Sequence, residues 1–166
     1  SITYELLINL PFTKRLQSVP YVASCHDEKL DGTGYYRGLK GEEIPFLSRI
    51  IAVADVFDAL TSVRHYRNRM PVEKVAEILE SGKGNHFDKK CVDTFNRMPC
   101  DRVLMVMESE RERTASEDLS IFKHISWQRL VEIVSGSKPK RGEDGVKESF
   151  DKLYNFGLPE NYKALD

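Results

Sequence analysis

The chain has 166 residues, with 25 Lys and Arg against 26 Asp and Glu and a formal net charge of −1 at pH 7. That length is one ordinary domain or slightly more, able to bury a core without disulfide or metal staples, and 40% hydrophobic with 31% charged residues is a globular composition, not a disordered one. Near-neutrality gives no bulk attraction for DNA or an anionic membrane, so any anion site must be built locally, and no apolar run approaches the ~20 residues that span a bilayer.

Ser1 opens directly onto a helix-like pattern, and the chain is read as a fragment. Ile2, Leu6 and Leu7 recur at helical spacing up to Pro11. A short helix is expected around Thr13–Gln17, and Pro20 suits the first turn of another that runs to about Asp27. Asp31-Gly32-Thr33-Gly34 is a tight loop, extended by Gly38 and Gly41. The strongest helix follows, with Pro45 near its start and a periodic face of Ile44, Leu47, Ile50, Ile51, Ala54, Phe57, Asp58 and Leu60, to about Ser62. Pro71 opens a helix with Val72, Val75, Ala76, Ile78 and Leu79 that Gly82 ends. Asp88 has the chemistry of an N-cap for a helix carrying Val92 and Phe95, which Pro99 stops. Asp101 starts a segment through Val103–Met107, and Glu108–Asp118 reads as a polar loop or frayed helix. Ser126–Ser135 is amphipathic, Gly136–Gly145 is a polar linker, and Val146–Phe156 is a last helix. With no period-2 alternation long enough for a strand, the class is all-α. Trp127 reads as a core anchor, and the last two helices pack on the domain or contribute to a homodimer.

Three cysteines, Cys25, Cys91 and Cys100, are odd in number and far apart. They argue against a disulfide framework and for a reducing, cytoplasmic setting. With no CxxC pair, a thiolate zinc site is not expected.

Chemistry concentrates between Cys25 and Arg67. His26 and Asp27 stand at a helix end before the glycine loop, and such donors suit iron, manganese or zinc. The same two residues are equally a helix C-cap and the start of a turn. Asp55, flanked by Ile50, Ile51, Val53 and Leu60, is expected on or near a buried face, where a carboxylate needs a cation or several hydrogen bonds. Asp58 shares its side of the helix, and Arg49 or a loop amide is the alternative partner of either. Arg64 and Arg67 flank His65 and Tyr66, and two guanidinium groups three residues apart reach one phosphate or form a solvated turn. Tyr35, on the glycine loop, either stacks on a base or packs.

The segment from His26 to Arg67 resembles HD-GYP domains, the branch of the HD superfamily that hydrolyses cyclic di-GMP. The family pattern is His-His-Glu-Lys/Arg, one residue, Asp-Gly-Thr-Gly-Tyr-Pro, then a helix with Ala-Asp-x-Phe/Tyr-Asp-Ala-Leu-Thr, then Arg-Pro-Tyr-Arg/Lys. The matches are His26, Glu28, Lys29, Asp31 to Tyr35, Gly41 to Pro45, Arg49, Ile50, Ala52 to Ser62, Arg64, Tyr66 and Arg67. The resemblance implies an HD-type helical bundle, with residues 1–110 the C-terminal part of a catalytic domain and residues 111–166 a helical extension packed on it. It implies that His26 and Asp55 are catalytic metal ligands, with Asp27 a third ligand, and that Lys29, Asp31, Gly34, Tyr35, Arg64 and Arg67 bind substrate. Two or three divalent ions, iron or manganese, are implied; they activate a water that attacks phosphorus in line while metals and arginines offset the developing charge.

Three departures stand against the pattern. Asp27 replaces the second His, Tyr36 replaces the motif Pro, and the His-Asp pair that names the superfamily is expected upstream of Ser1. His65, His86 and His124 are read as surface or core-edge residues. The fragment alone is expected to be inactive. The alternative is a catalytically degenerate module that senses nucleotide or docks on a signalling partner such as a diguanylate cyclase; an upstream sensory domain suits either reading.

Overall fold

The computed structural model describes residues 2–63, 68–107 and 119–155. Within them stand eight α-helices and three short 3-10 turns. The all-α expectation holds: apart from two isolated bridges, Lys83 with Phe87 and Pro99 with Ser126, the described residues form no β-structure. The chain divides into two compact units, one built from residues 1–60 and 77–94, the other from 61–76 and 95–166.

In the first unit, α1 (Ile2–Ile8) packs on α2 (Val19–Ser24), which has Pro20 in its first turn as the sequence predicts. The 3-10 turn Lys14–Leu16 takes the place of the short helix expected over Thr13–Gln17. The glycine loop leads through a second 3-10 turn, Gly41–Glu43, into α3 (Phe46–Thr61). Ser48 of α3 donates to the Val22 carbonyl of α2 at 2.7 Å, which holds the two helices together beneath the loop. The core here comprises Cys25, Ile44, Ala52, Val53, Phe57, Leu79 and Val92.

α3 departs from expectation. Its buried stripe runs through Ser48, Arg49, Ala52, Val53 and Phe57, whereas Leu47, Ile50 and Ile51 are exposed together with Ala54, Asp55 and Asp58. The helix is apolar on two sides, and the described residues cover one. Arg49 lies inside because its donors are all met. Its Nε donates to the Ile44 carbonyl at 2.9 Å, its fork grips Glu42 at 3.0 Å through both oxygens, and Nη1 reaches Asp88 at 3.1 Å. Asp88 also caps α5 (Lys89–Asn96) as expected, accepting from Lys90 N at 2.8 Å and Cys91 N at 3.2 Å. α4 (Val72–Ser81) buries Val72, Val75 and Leu79.

The second unit has its own core. α6 (Cys100–Met107) and α7 (Trp127–Val134) pack on each other, and α7 packs on α8 (Val146–Asn155). Trp127 is fully buried beside Phe95, ring centroids 5.9 Å apart, and is the core anchor the sequence predicts. Ser126 caps α7 by accepting from Arg129 N at 3.2 Å. Cys25 and Cys100 are buried free thiols, and burial pushes Cys100 up to about 12, so it is a neutral, inert group near pH 7. The expected loop over 108–118 lies outside the described residues.

Candidate active site

The site is organised by a residue whose role the sequence does not reveal. Glu28 is 3% exposed, and its carboxylate collects three backbone N–H groups of the loop that follows it. Tyr36 N and Arg37 N donate to Oε1 at 2.9 and 2.6 Å, and Leu39 N donates to Oε2 at 3.0 Å. A buried carboxylate must be matched by donors, and here the loop backbone supplies them. Gly34 is required because the chain passes against itself: a Cβ there would meet Lys29 N and stand 2.5 Å from Glu28 Cα. Gly32 takes φ +81°, which side-chain-bearing residues rarely adopt. Tyr35 N closes the loop on the Asp27 carbonyl at 3.0 Å.

The loop is pinned on its other side by residues 82–87. Leu30 N and Asp31 N donate to the carbonyls of His86 and Asn85 at 3.3 and 2.8 Å. Asp31 Oδ1 accepts from its own loop, from Thr33 N at 2.8 Å and Thr33 Oγ1 at 2.6 Å, while His86 Nε2 lies 3.6 Å from Oδ2. The Thr33 hydrogen bonds hold the Asp31 carboxyl below its ordinary value, with a smaller contribution from His86. His86 is exposed at the surface, as expected.

His26 Nδ1 lies 2.5 Å from the Ala23 carbonyl oxygen. A carbonyl only accepts, so Nδ1 carries the proton and, in the neutral ring, Nε2 keeps its lone pair. Asp27 Oδ1 is 3.5 Å from that Nε2. Two donors on one ion at bond lengths of about 2.1 Å stand roughly 3.0–3.5 Å apart, so the pair fits a single cation. Among the described residues no three His, Cys, Asp or Glu side chains gather into a metal-holding group.

Asp55 is where the sequence reading needs correction. It is exposed on the uncovered side of α3, not buried. Among the described residues its carboxylate makes no hydrogen bond or ion pair, and Arg49, the alternative partner, is committed to Glu42 and Asp88. Lys29 is half-buried, with its carbonyl accepting from Gly32 N at 2.8 Å. Tyr35 and Tyr36 are 69% and 50% exposed, edge to face with centroids 5.9 Å apart. Arg64 and Arg67 lie outside the described residues.

A family model described as an HD domain matches residues 1–91, more than half of the chain. The chain belongs to the HD-domain family. A 3'3'-cGAMP-specific phosphodiesterase of Vibrio cholerae is 49% identical over 90 residues, covering 54% of this chain and 19% of that protein. The cyclic di-GMP phosphodiesterase response regulator RpfG of Xanthomonas campestris is 43% identical over 96 residues, 58% of this chain and 25% of its own. A cyclic di-GMP phosphodiesterase of Thermotoga maritima is 42% identical over 83 residues, 50% of this chain and 23% of its own. The chain thus spans about a fifth to a quarter of the length of these relatives. The HD-domain match takes in the turn with His26 and Asp27, the loop to Leu39, and helix α3 with Asp55. No helix among the described residues is long and apolar enough to cross a membrane.

Proposed function

We propose that this chain is part of a metal-dependent phosphodiesterase that hydrolyses cyclic di-GMP or a related cyclic dinucleotide. Residues 1–110 belong to the catalytic domain and 111–166 extend it. The observation that carries the reading is the orientation of His26: its Nδ1 is held by Ala23, which turns the Nε2 lone pair toward a site shared with Asp27 Oδ1 at 3.5 Å. Asp55, an uncommitted carboxylate, is the third donor among the described residues. The relatives whose names specify cyclic di-GMP or cGAMP support the substrate class.

A divalent ion held there, iron or manganese, supplies Lewis acidity toward water and a phosphoryl oxygen. The chain's own residues do the rest. His26 and Asp27 hold the ion and Glu28 fixes the backbone that follows them. Tyr35 offers a ring to a guanine base. Arg64 and Arg67 take phosphate oxygens by bidentate contact, and Lys29 and Asp31 with Gly34 complete the nucleotide side.

The test is metal content and turnover of the intact protein. Two or more iron or manganese ions per chain are expected with hydrolysis of cyclic di-GMP, and Asp27→Ala should lower both while Asp27→His keeps turnover. Fewer than two ions and no turnover would instead favour a degenerate module that binds nucleotide or a signalling partner; the absence of a three-donor cluster among the described residues is the observation on that side.

A further inference from the structure

We propose that Arg37 is a phosphate-binding residue that holds the uncut phosphodiester of the cyclic dinucleotide, an inference that rests on the functional reading above. The guanidinium carbon of Arg37 lies over two aromatic rings, 4.9 Å from the Tyr21 centroid and 5.3 Å from that of Tyr4. Its backbone N–H is fixed by Glu28, yet among the described residues its side-chain N–H groups donate to no acceptor. Arg49 and Arg129 differ, with carboxylates and carbonyls at their edges. Arg37 therefore has its faces held and its edges free, exposed to solvent.

A planar fork held this way loses little conformational freedom when it meets an anion, and its geometry matches two phosphate oxygens. A chain of net charge −1 has no diffuse positive field to do this instead. Arg37 also stands in the right stretch. Tyr35 N is bonded to the Asp27 carbonyl, and two residues of chain reach at most about 7 Å further. Tyr21, the nearer ring, belongs to α2 (Val19–Ser24), and His26 follows beyond the end of that helix. The guanidinium is thus anchored on a residue of α2 and not at the His26 imidazole, which Ala23 holds separately. Of the two phosphodiesters in a cyclic dinucleotide, one reacts and the other keeps its single charge throughout. A group that holds the unreacting one binds ground state and transition state alike, so it lowers KM and leaves kcat alone.

The experiment compares the intact protein with Arg37→Ala, Arg37→Lys and Tyr21→Phe, measuring hydrolysis of cyclic di-GMP, calorimetric binding of the same nucleotide, and Tm. Arg37→Ala should raise KM and Kd about tenfold, the worth of one bidentate contact, with kcat within about twofold. Lysine should restore little of this because it lacks the fork, and Tyr21→Phe, which keeps the ring, should match the parent. An Arg37→Ala protein with lowered Tm but unchanged KM and Kd would mean a stacking staple only, and overturns the proposal. If the parent binds cyclic di-GMP without cleaving it, the functional reading fails while the calorimetric comparison still decides Arg37. If it neither binds nor cleaves, both fall.

Discussion

A single carboxylate decides the shape of the candidate site. Glu28 is buried and accepts from Tyr36, Arg37 and Leu39, so three residues eight to eleven positions downstream are positioned by one side chain. Hydrogen bonds to a charged acceptor contribute about 1.5–3 kcal/mol each, and donors left buried without a partner cost about as much. Partial access of water to the loop reduces the sum. Glu28→Ala should therefore destabilise the protein by about 3 kcal/mol in urea titration, and Glu28→Gln by roughly half that, since the amide keeps one acceptor oxygen. The loop carries Tyr35 and Arg37, so both variants should raise KM for a cyclic dinucleotide before they lower stability enough to unfold the chain. An Ala variant with wild-type stability would mean that the loop is held by something other than this carboxylate.

At the scale of elements, Arg49 ties the 3-10 turn Gly41–Glu43, helix α3 and the start of helix α5 through one guanidinium. Its two acid partners differ in kind. Glu42 is 96% exposed and Asp88 16%, and an ion pair in open water is worth little while a half-buried carboxylate left unpaired is costly. Burial alone would raise the Asp88 carboxyl, but the Arg49 hydrogen bond together with the Cys91 and Lys90 backbone N–H groups outweighs it, so the group lies below its ordinary value. Arg49→Ala should cost about 3 kcal/mol, and Glu42→Ala far less, by chemical denaturation. Equal losses would contradict this division. Arg49 also shows where the sequence stops being legible. Helix positions follow from Pro20, Pro71, Pro99, Gly82 and the Asp88 and Ser126 caps, because those residues act on their own backbone within a turn. His26, Asp27 and the Asp31–Tyr35 loop are legible because their spacing carries a specific motif. An arginine that turns inward is invisible to periodicity, since its partners come from segments 7 and 39 residues away. Glu28 hides for the same reason. Asp55 is not legible as exposed because α3 is apolar on two sides, and a one-dimensional pattern does not say which side the described residues cover.

Across the whole molecule, the acid response of the second compact unit is the readable one, because the single tryptophan lies in it. Trp127 is buried in the second unit, where Arg129 of the same helix grips the linker before α8. Its Nε and Nη2 donate to Glu143 at 3.0 and 2.7 Å, Nη2 also donates to the Lys138 carbonyl at 2.9 Å, and Lys140 N donates to Glu143 at 2.6 Å. The Arg129 hydrogen bonds, then that of Lys140 N, hold the Glu143 carboxyl down at about 2 against 4.5 when unperturbed. Arg129 is shifted upward and stays charged throughout. The sign follows from proton counting: between pH 4.5 and about 2 the unfolded chain binds a proton at Glu143 that the folded chain does not, so stability falls as pH falls through that window and is fully present above it. Trp127 fluorescence during urea unfolding should therefore give a midpoint that loses ground below pH 4.5, and Glu143→Gln should flatten that part of the slope while lowering the neutral-pH midpoint. An unchanged acid slope in the Gln variant would assign the sensitivity to other carboxylates and leave the Arg129 grip on the linker without a thermodynamic role.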